Sequence, residues 1–411
     1  MNKSFNALNM VHVQLEDLDT KLLRRRLRTA YTACDVKTNV DHRELKAFCS
    51  NDYLGLANHP KLIMAISEGA KRYGVGSGAS HLISGHSITH DLLEKRLASL
   101  ESAYIPDARA LFFSTGYLAN ITAITGLIRL VEQGQASIYS ARLNHASIID
   151  GVKLASAQSK AKVTIFDHQD LESLVTPLKN DQHLLKLIVV DGVFSMDGDI
   201  APLNDLINIA QTYDALLVID DAHGFGVLGK QGHGILEHYD LCSERIVYIG
   251  TLGKAAGVSG AFICAGSAFI EWLIQKGRPY IYSTATPPAI AHALLTSLDL
   301  IESNEGAHRR EHLNQLIDIW QTEMNFKHWQ KVESKTPIQP VILGSNANAL
   351  TAAKLLDAEG YWIPAIRPPT VPANSARLRI TLSANHTADD LRTLMRTLEA
   401  IEHSVAQGDQ A

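Results

Sequence analysis

Residues 248 to 262 read Tyr-Ile-Gly-Thr-Leu-Gly-Lys-Ala-Ala-Gly-Val-Ser-Gly-Ala-Phe, an apolar run that meets a single lysine, Lys254, in a glycine-rich loop before a second apolar run begins. An amine in a tight, partly desolvated loop can have its pKa lowered enough to form a Schiff base. Gly253 and Gly257 would let backbone pass close to a bulky ligand. A lysine in such a loop also fits an ordinary solvated turn, so the flanking chain has to decide.

From Ala110 onward the chain alternates strand-like and helix-like segments. Apolar-rich runs at 110–113, 136–139, 163–166, 187–190, 216–219, 246–249 and 261–264 predict strands, with helical patterns after Gly116, His145, Leu171 and Leu203. Apolar strands without polar alternation imply an α/β fold, a mainly parallel sheet covered by helices on both faces. Ligands of such sheets sit beyond the carboxyl ends of the strands. The polar residues of interest fall there: Thr115 and Gly116, Asn144 and His145, Asp191 to Asp197, Asp220 to His223, and Lys254. A polar residue at one strand end is usually a turn former. Several on one edge of one sheet are a site.

The rest of the chain frames that sheet. Apolar residues from Val13 to Leu27 predict one amphipathic helix over about 12–33, with the basic run Arg24-Arg25-Arg26-Leu27-Arg28 on its other face. An N-terminal helical arm, 1–47, would precede a large cofactor-binding α/β domain, 48–290, and a smaller α+β domain, 291–411. Pro60 marks a helix start before residues 61–73. The glycines at 74, 76 and 78 look like a dinucleotide fingerprint but follow a helical pattern rather than a strand, which excludes that reading.

With 411 residues, 46% of them hydrophobic, and a formal charge of -5, the chain is a globular protein unsuited to nucleic acid. Its four cysteines have no metal or disulfide spacing, which fits a reducing, cytoplasmic setting. Glu16, Asp17 and Asp19 lie where a signal peptide would need an apolar core, and no run approaches the ~20 residues of a membrane span. No metal site is expected.

Pyridoxal 5'-phosphate (PLP) catalysis requires a lysine, a carboxylate for the pyridine nitrogen, a phosphate cup and a stacking group. Lys254 and Asp220 supply the first two, and Gly116 and Tyr117 open a helix whose free N–H groups favour an anion. Thr251 adds a hydroxyl.

Five blocks then carry a resemblance: Ser50-Asn-Asp-Tyr-Leu-Gly-Leu56, Asp191-Gly-Val-Phe-Ser-Met-Asp-Gly-Asp199, Asp220-Asp-Ala-His-Gly224, Thr251-Leu-Gly-Lys254 and Tyr282-Ser-Thr284. In this order they resemble the α-oxoamine synthases, PLP enzymes of fold type I. The segments 365–372 and 376–381 are similar to the branch that condenses L-alanine with a pimeloyl thioester, carried by coenzyme A or by an acyl carrier protein. The resemblance implies that Lys254 attaches PLP, Asp220 pairs with its ring nitrogen, His223 and Ser195 meet the ring hydroxyl, and His145 stacks on the ring. Gly116, Tyr117 and Thr251 would hold the phosphate, joined by Ser283 and Thr284 from the second subunit of a homodimer. Arg24 would meet the acyl substrate, with Arg367 and Thr370 on the amino-acid side. The chain departs from the family pattern at Ala79, at His81 and Leu82 after it, and at Asp191, where glutamate is frequent. A synthase joining glycine to acetyl-CoA shares the cofactor residues and stays open at this stage, as does, more remotely, a PLP-binding regulator.

Overall fold

The computed structural model describes residues 6–408. They fall into two compact units, residues 51–314 and a second formed by the segments up to Ser50 and from Gln315. The N-terminal segment is thus grouped with the C-terminal one.

Residues 51–314 are built on a seven-stranded sheet. Across the sheet the strands run Ala108–Phe113, Ala261–Gly266, Ile246–Thr251, Leu216–Asp220, Leu185–Asp191, Ala136–Ala141 and Lys162–Phe166. Ala261–Gly266 is antiparallel to both neighbours, and every other pairing is parallel. All seven segments read as strands from sequence are strands. The middle of the sheet is dry: Leu217, Val218, Ile219, Val247 and Ile263 are wholly buried. Each such side chain contributes about 1.5–3 kcal/mol when taken from water. The helices Gly116–Leu127 and Ala146–Ser159 pack on this apolar surface through Ala119, Ala123, Ile124, Ile148 and Val152. Because both flanking layers are apolar, charge is admitted only at the strand ends.

In the other unit a three-stranded sheet joins Lys37–Val40, Arg43–Ala47 and Tyr361–Trp362, and a four-stranded one joins Gln330–Lys331, Ile338–Gly344, Ala376–Thr381 and Ala365–Ile366. The expected helix over 12–33 is corrected here. The helix spans Ala7–Thr20, capped by the Asn6 side chain on the N–H groups of Leu8 and Asn9. It stops because Leu22 takes a left-handed conformation, φ 56°, which a helix cannot continue. The basic run 24–28 therefore lies outside it, where Arg28 bonds Asp41 and Asp357. The periodicity misled because Leu23 and Leu27 stand four apart, at helical spacing, beyond the point where the backbone leaves the helix. Among the described residues no helix is long and apolar enough to cross a membrane.

His386 ties this unit together. Its ring stacks on Phe48 at 3.9 Å, Nε2–H donates to the Ala47 carbonyl at 3.0 Å, and Nδ1 accepts from the Ser383 N–H at 2.9 Å. Burial pushes its pKa from 6.5 to about 4. The native state holds neutral imidazole, whereas the unfolded chain takes up a proton below its ordinary pKa. The contribution is therefore complete above about pH 6.5 and lost as pH falls towards 4, up to roughly 3 kcal/mol. His386→Gln should lower the Tm clearly at neutral pH and progressively less towards pH 4; thermal scans that gave a pH-independent difference would contradict this.

Candidate active site

The carboxyl ends of four parallel strands and the N-termini of two helices enclose a pocket of about 170 Å³. Its floor is Asp220, the last residue of the strand Leu216–Asp220. One carboxylate oxygen accepts from Asn120 Nδ2 at 2.5 Å, the other from the Ala222 N–H at 2.9 Å. Asn120 lies on the helix Gly116–Leu127 and also donates to Ser147 Oγ at 2.9 Å, a hydroxyl 2.7 Å from His145 Nδ1. Asn120 thus links the acid to the imidazole. Desolvation lowers the pKa of His145, opposed by the charge of Asp220 and reinforced by that of Lys254.

Lys254 follows the strand Ile246–Thr251 in a loop closed on itself. The Leu252 N–H and Thr251 Oγ1 both donate to the Gly260 carbonyl, and the Gly257 N–H donates to the carbonyl of Lys254. The glycines serve this packing. Gly257 has φ +71°, and a Cβ there would lie 2.6 Å from the Leu56 carbonyl carbon, so the tight approach is to protein backbone rather than to a ligand. The Lys254 amine lies 2.9 Å from His223 Nε2. His223 Nδ1 is 2.5 Å from the Tyr53 hydroxyl, which donates to Asn51 Oδ1 at 3.1 Å. The Tyr53 hydroxyl thus braces one ring nitrogen of His223. The other, Nε2, faces the lysine.

A third element is the start of the helix Gly116–Leu127. Thr115 caps it by accepting from the Leu118 N–H at 3.2 Å, leaving the first-turn N–H groups of Gly116 and Tyr117 without helical partners. Opposite them is Thr251; a Cβ added to Gly116 would come 3.9 Å from Thr251 Oγ1. The helix dipole and these donors favour an anion at this place. The Tyr117 hydroxyl itself donates to Asp150.

Asp191 completes the wall. It is in register with Asp220 on the neighbouring strand, and burial, then the Asp220 charge, raise its pKa well above the ordinary carboxylate range. Its Oδ2 accepts from the backbone N–H of His145 at 2.8 Å, and its own N–H donates to Asn144 Oδ1 at 2.9 Å. The shorter acid at this position thereby holds the first residue before the helix Ala146–Ser159.

Eight of the residues expected from sequence meet here: Gly116, Tyr117, His145, Ser195, Asp220, His223, Thr251 and Lys254. Asn120 and Ser147 were missed. Asn120 sits one turn inside its helix and Ser147 in the first turn of its own, positions that sequence does not distinguish from core or capping residues. Ser283 and Thr284 do not line this chain's pocket; they follow the helix Arg278–Tyr282, where Thr284 forms an isolated bridge with Ser80. Arg24, Arg367 and Thr370 belong to the other compact unit. Arg24 is paired with Asp19, the Arg367 guanidinium donates to the Leu22 carbonyl, and Arg25 reaches Thr370 Oγ1 at 3.4 Å. Arg367 Nε is buried with no partner, and burial and then Arg25 lower the pKa of the group.

A lysine amine, a held carboxylate and a helix-terminus anion site in one pocket fit a phosphate-bearing pyridine aldehyde and define a lysine-dependent enzyme of the aminotransferase type. Residues 44–398 match the family Aminotransferase class I and II, and the chain belongs to that family. Within it stands the 8-amino-7-oxononanoate synthase of Janthinobacterium sp. (strain Marseille), 51% identical over 402 residues that cover 98% of this chain and 99% of that protein. The crystal structure of 8-amino-7-oxononanoate synthase from Francisella tularensis is 32% identical, with a TM-score of 0.73 over 89% of this chain and 98% of that one. A serine palmitoyltransferase from S. paucimobilis with bound PLP-myriocin aldimine gives a TM-score of 0.86 at 25% identity, covering 98% of this chain and 100% of that one.

Asn120→Ala removes a donor to a buried carboxylate, an interaction of about 1.5–3 kcal/mol. PLP retention should weaken by roughly tenfold or more, read by titrating cofactor into the apoprotein. Unchanged retention would show that Asn120 does not support the Asp220 site.

Proposed function

We propose that the pocket around Lys254 carries out the reaction of an 8-amino-7-oxononanoate synthase, the decarboxylative condensation of L-alanine with a pimeloyl thioester, with PLP as cofactor. The observation that carries this is the Lys254 amine, 2.9 Å from His223, in one pocket with the held carboxylate of Asp220. The 51% identity to a synthase of that name supports the choice of reaction over the glycine-using alternative. When bound, PLP withdraws electrons from the amino acid's α-carbon, which makes that carbon acidic and nucleophilic.

The chain's own residues divide the remaining work. Lys254 is the attachment amine and, once displaced by alanine, the base that takes the α-proton. His223 accepts a hydrogen bond from it and keeps the amine aimed into the pocket. Asp220 would hold negative charge towards the pyridine nitrogen, and with Ser195 and His223 it would fix the ring. His145 would cover the ring's face and polarise the new ketone. Gly116, Tyr117 and Thr251 bind the phosphate, and Ser283 and Thr284 reach the phosphate of the second subunit in a homodimer. Sedimentation at working concentration tests that assembly; an active monomer would remove it. Arg24 is assigned to the acyl chain, Arg367 and Thr370 to the amino acid. The acyl group arrives on coenzyme A or a carrier protein, in the cytoplasm.

Incubation with L-alanine and a panel of acyl thioesters, followed by mass identification of products, tests the reaction. The pimeloyl thioester with alanine should give the 8-amino-7-oxo product. Lys254→Ala should fold, form no product and show no borohydride-stable cofactor attachment; attachment that persisted would assign another lysine.

Arg367→Lys separates the two substrates. Its guanidinium can grip a carboxylate through two parallel bonds that an ammonium cannot copy. At 1.5–3 kcal/mol per charge-assisted bond, the alanine dissociation constant should rise at least roughly tenfold while cofactor absorbance stays intact. Spectral titration with alanine reads this, and an unchanged constant would rule the arginine out as the carboxylate clamp.

A further inference from the structure

Three imidazoles not used at Lys254 converge elsewhere in residues 51–314. His81 begins the π-helical turn His81–Gly85, His86 follows that turn, and His90 lies in the first turn of the helix Ile88–Glu101. One nitrogen from each lies within 4.8 Å of the other two. The Nδ1 atoms of His81 and His86 are 2.9 Å apart. Neutral imidazoles hold that spacing by sharing one proton. A cation bound at the usual distance of about 2.0–2.1 Å in a tetrahedral site would set the two nitrogens about 3.3 Å apart, so a small turn of either ring suffices.

The surroundings are those of a ligand set. His90 Nε2–H donates to the Thr286 carbonyl at 2.8 Å, which leaves the lone pair on Nδ1; anchoring the other ring nitrogen to a carbonyl is how ligating histidines are usually oriented. That lone pair now accepts the Ser87 N–H at 3.0 Å and lies 3.0 Å from Ser87 Oγ, so a cation competes with both contacts from Ser87. The His81 ring is held flat on Tyr280, centroids 4.7 Å apart, and edge-on to His90. His81 and His86 open onto a cavity of about 710 Å³ whose wall also carries Asp91 and Glu94, leaving room for water or a carboxylate as a fourth ligand. We infer that His81, His86 and His90 form a binding site for a borderline divalent cation such as Zn²⁺. Imidazole donors select Zn²⁺, Co²⁺ or Ni²⁺ over Mg²⁺ or Ca²⁺.

The test uses chelator-treated holoenzyme dialysed against Zn²⁺ or Mg²⁺, with Co²⁺ as a spectroscopic probe. One Zn²⁺ per chain, no stoichiometric Mg²⁺, and Co²⁺ ligand-field bands distinct from the cofactor spectrum are expected. His81→Asn and His86→Asn should each weaken Zn²⁺ binding by at least about tenfold, with metal-free Tm and cofactor absorbance unchanged. If His81→Asn did not fold, the exposed His86 carries the comparison alone. Substoichiometric Zn²⁺, or equal affinity in wild type and the folded variants, would overturn the site.

Discussion

One buried negative charge organises the site. Asp220 ends a strand that is apolar up to its last residue, and a carboxylate there is costly unless hydrogen bonds replace its water. Asn120 and the Ala222 N–H do so, and Asn120 carries the constraint on to Ser147 and His145. The two acids beside it cannot share the same treatment. Burial and the Asp220 charge raise the pKa of Asp191 well above the ordinary carboxylate range, and burial pushes Asp221 to about 7 although its Oδ2 accepts from the Ile235 N–H and the Tyr248 hydroxyl. Like charges at this spacing disfavour one another's ionisation in a desolvated edge. The cluster therefore presents less charge to a ligand than three ionised carboxylates would.

Much of this was legible before any coordinates. The central strands, buried on both faces, are written almost wholly in Val, Ile and Leu, and the flanking ones in shorter apolar-rich runs, so all seven members of the large sheet could be read, and with them the edge where Asp220, His223 and Lys254 lie. The resemblance of five ordered blocks then named a cofactor for that edge. What could not be read depends on packing in three dimensions. Asn120 and Ser147 are polar residues in helices, and only the approach of a distant strand end distinguishes them from structural ones. The hydroxyl of Tyr53 braces the His223 ring across a long sequence separation, which no local pattern records.

The errors have equally physical causes. The basic run 24–28 was placed on a helix because leucines recur at helical spacing, yet the helix ends at Thr20, ahead of a left-handed Leu22 and of that run. Gly257 was read as making room for a ligand, whereas its missing side chain admits the backbone of residues 56 and 57. Both readings had the right residue and the wrong neighbour. His81, noted only as a departure from a family pattern, proves to stand beside two more imidazoles.

The strand order has a consequence for how the chain is made. Ala108–Phe113 is the first strand of the large sheet to be synthesised, yet among the described residues its only strand partner is Ala261–Gly266, the last. Until the ribosome has delivered that final segment, the strand's edge towards Ala261–Gly266 has nothing to pair with. The five parallel strands can assemble as they emerge, but closure of the sheet waits for a contact of long sequence separation, the kind whose loop entropy slows folding. A nascent chain halted before residue 261 would carry an open edge, the surface on which β-rich proteins aggregate. The glycine-rich lysine loop, lying just ahead of the closing strand, is thus completed in the same step that seals the sheet.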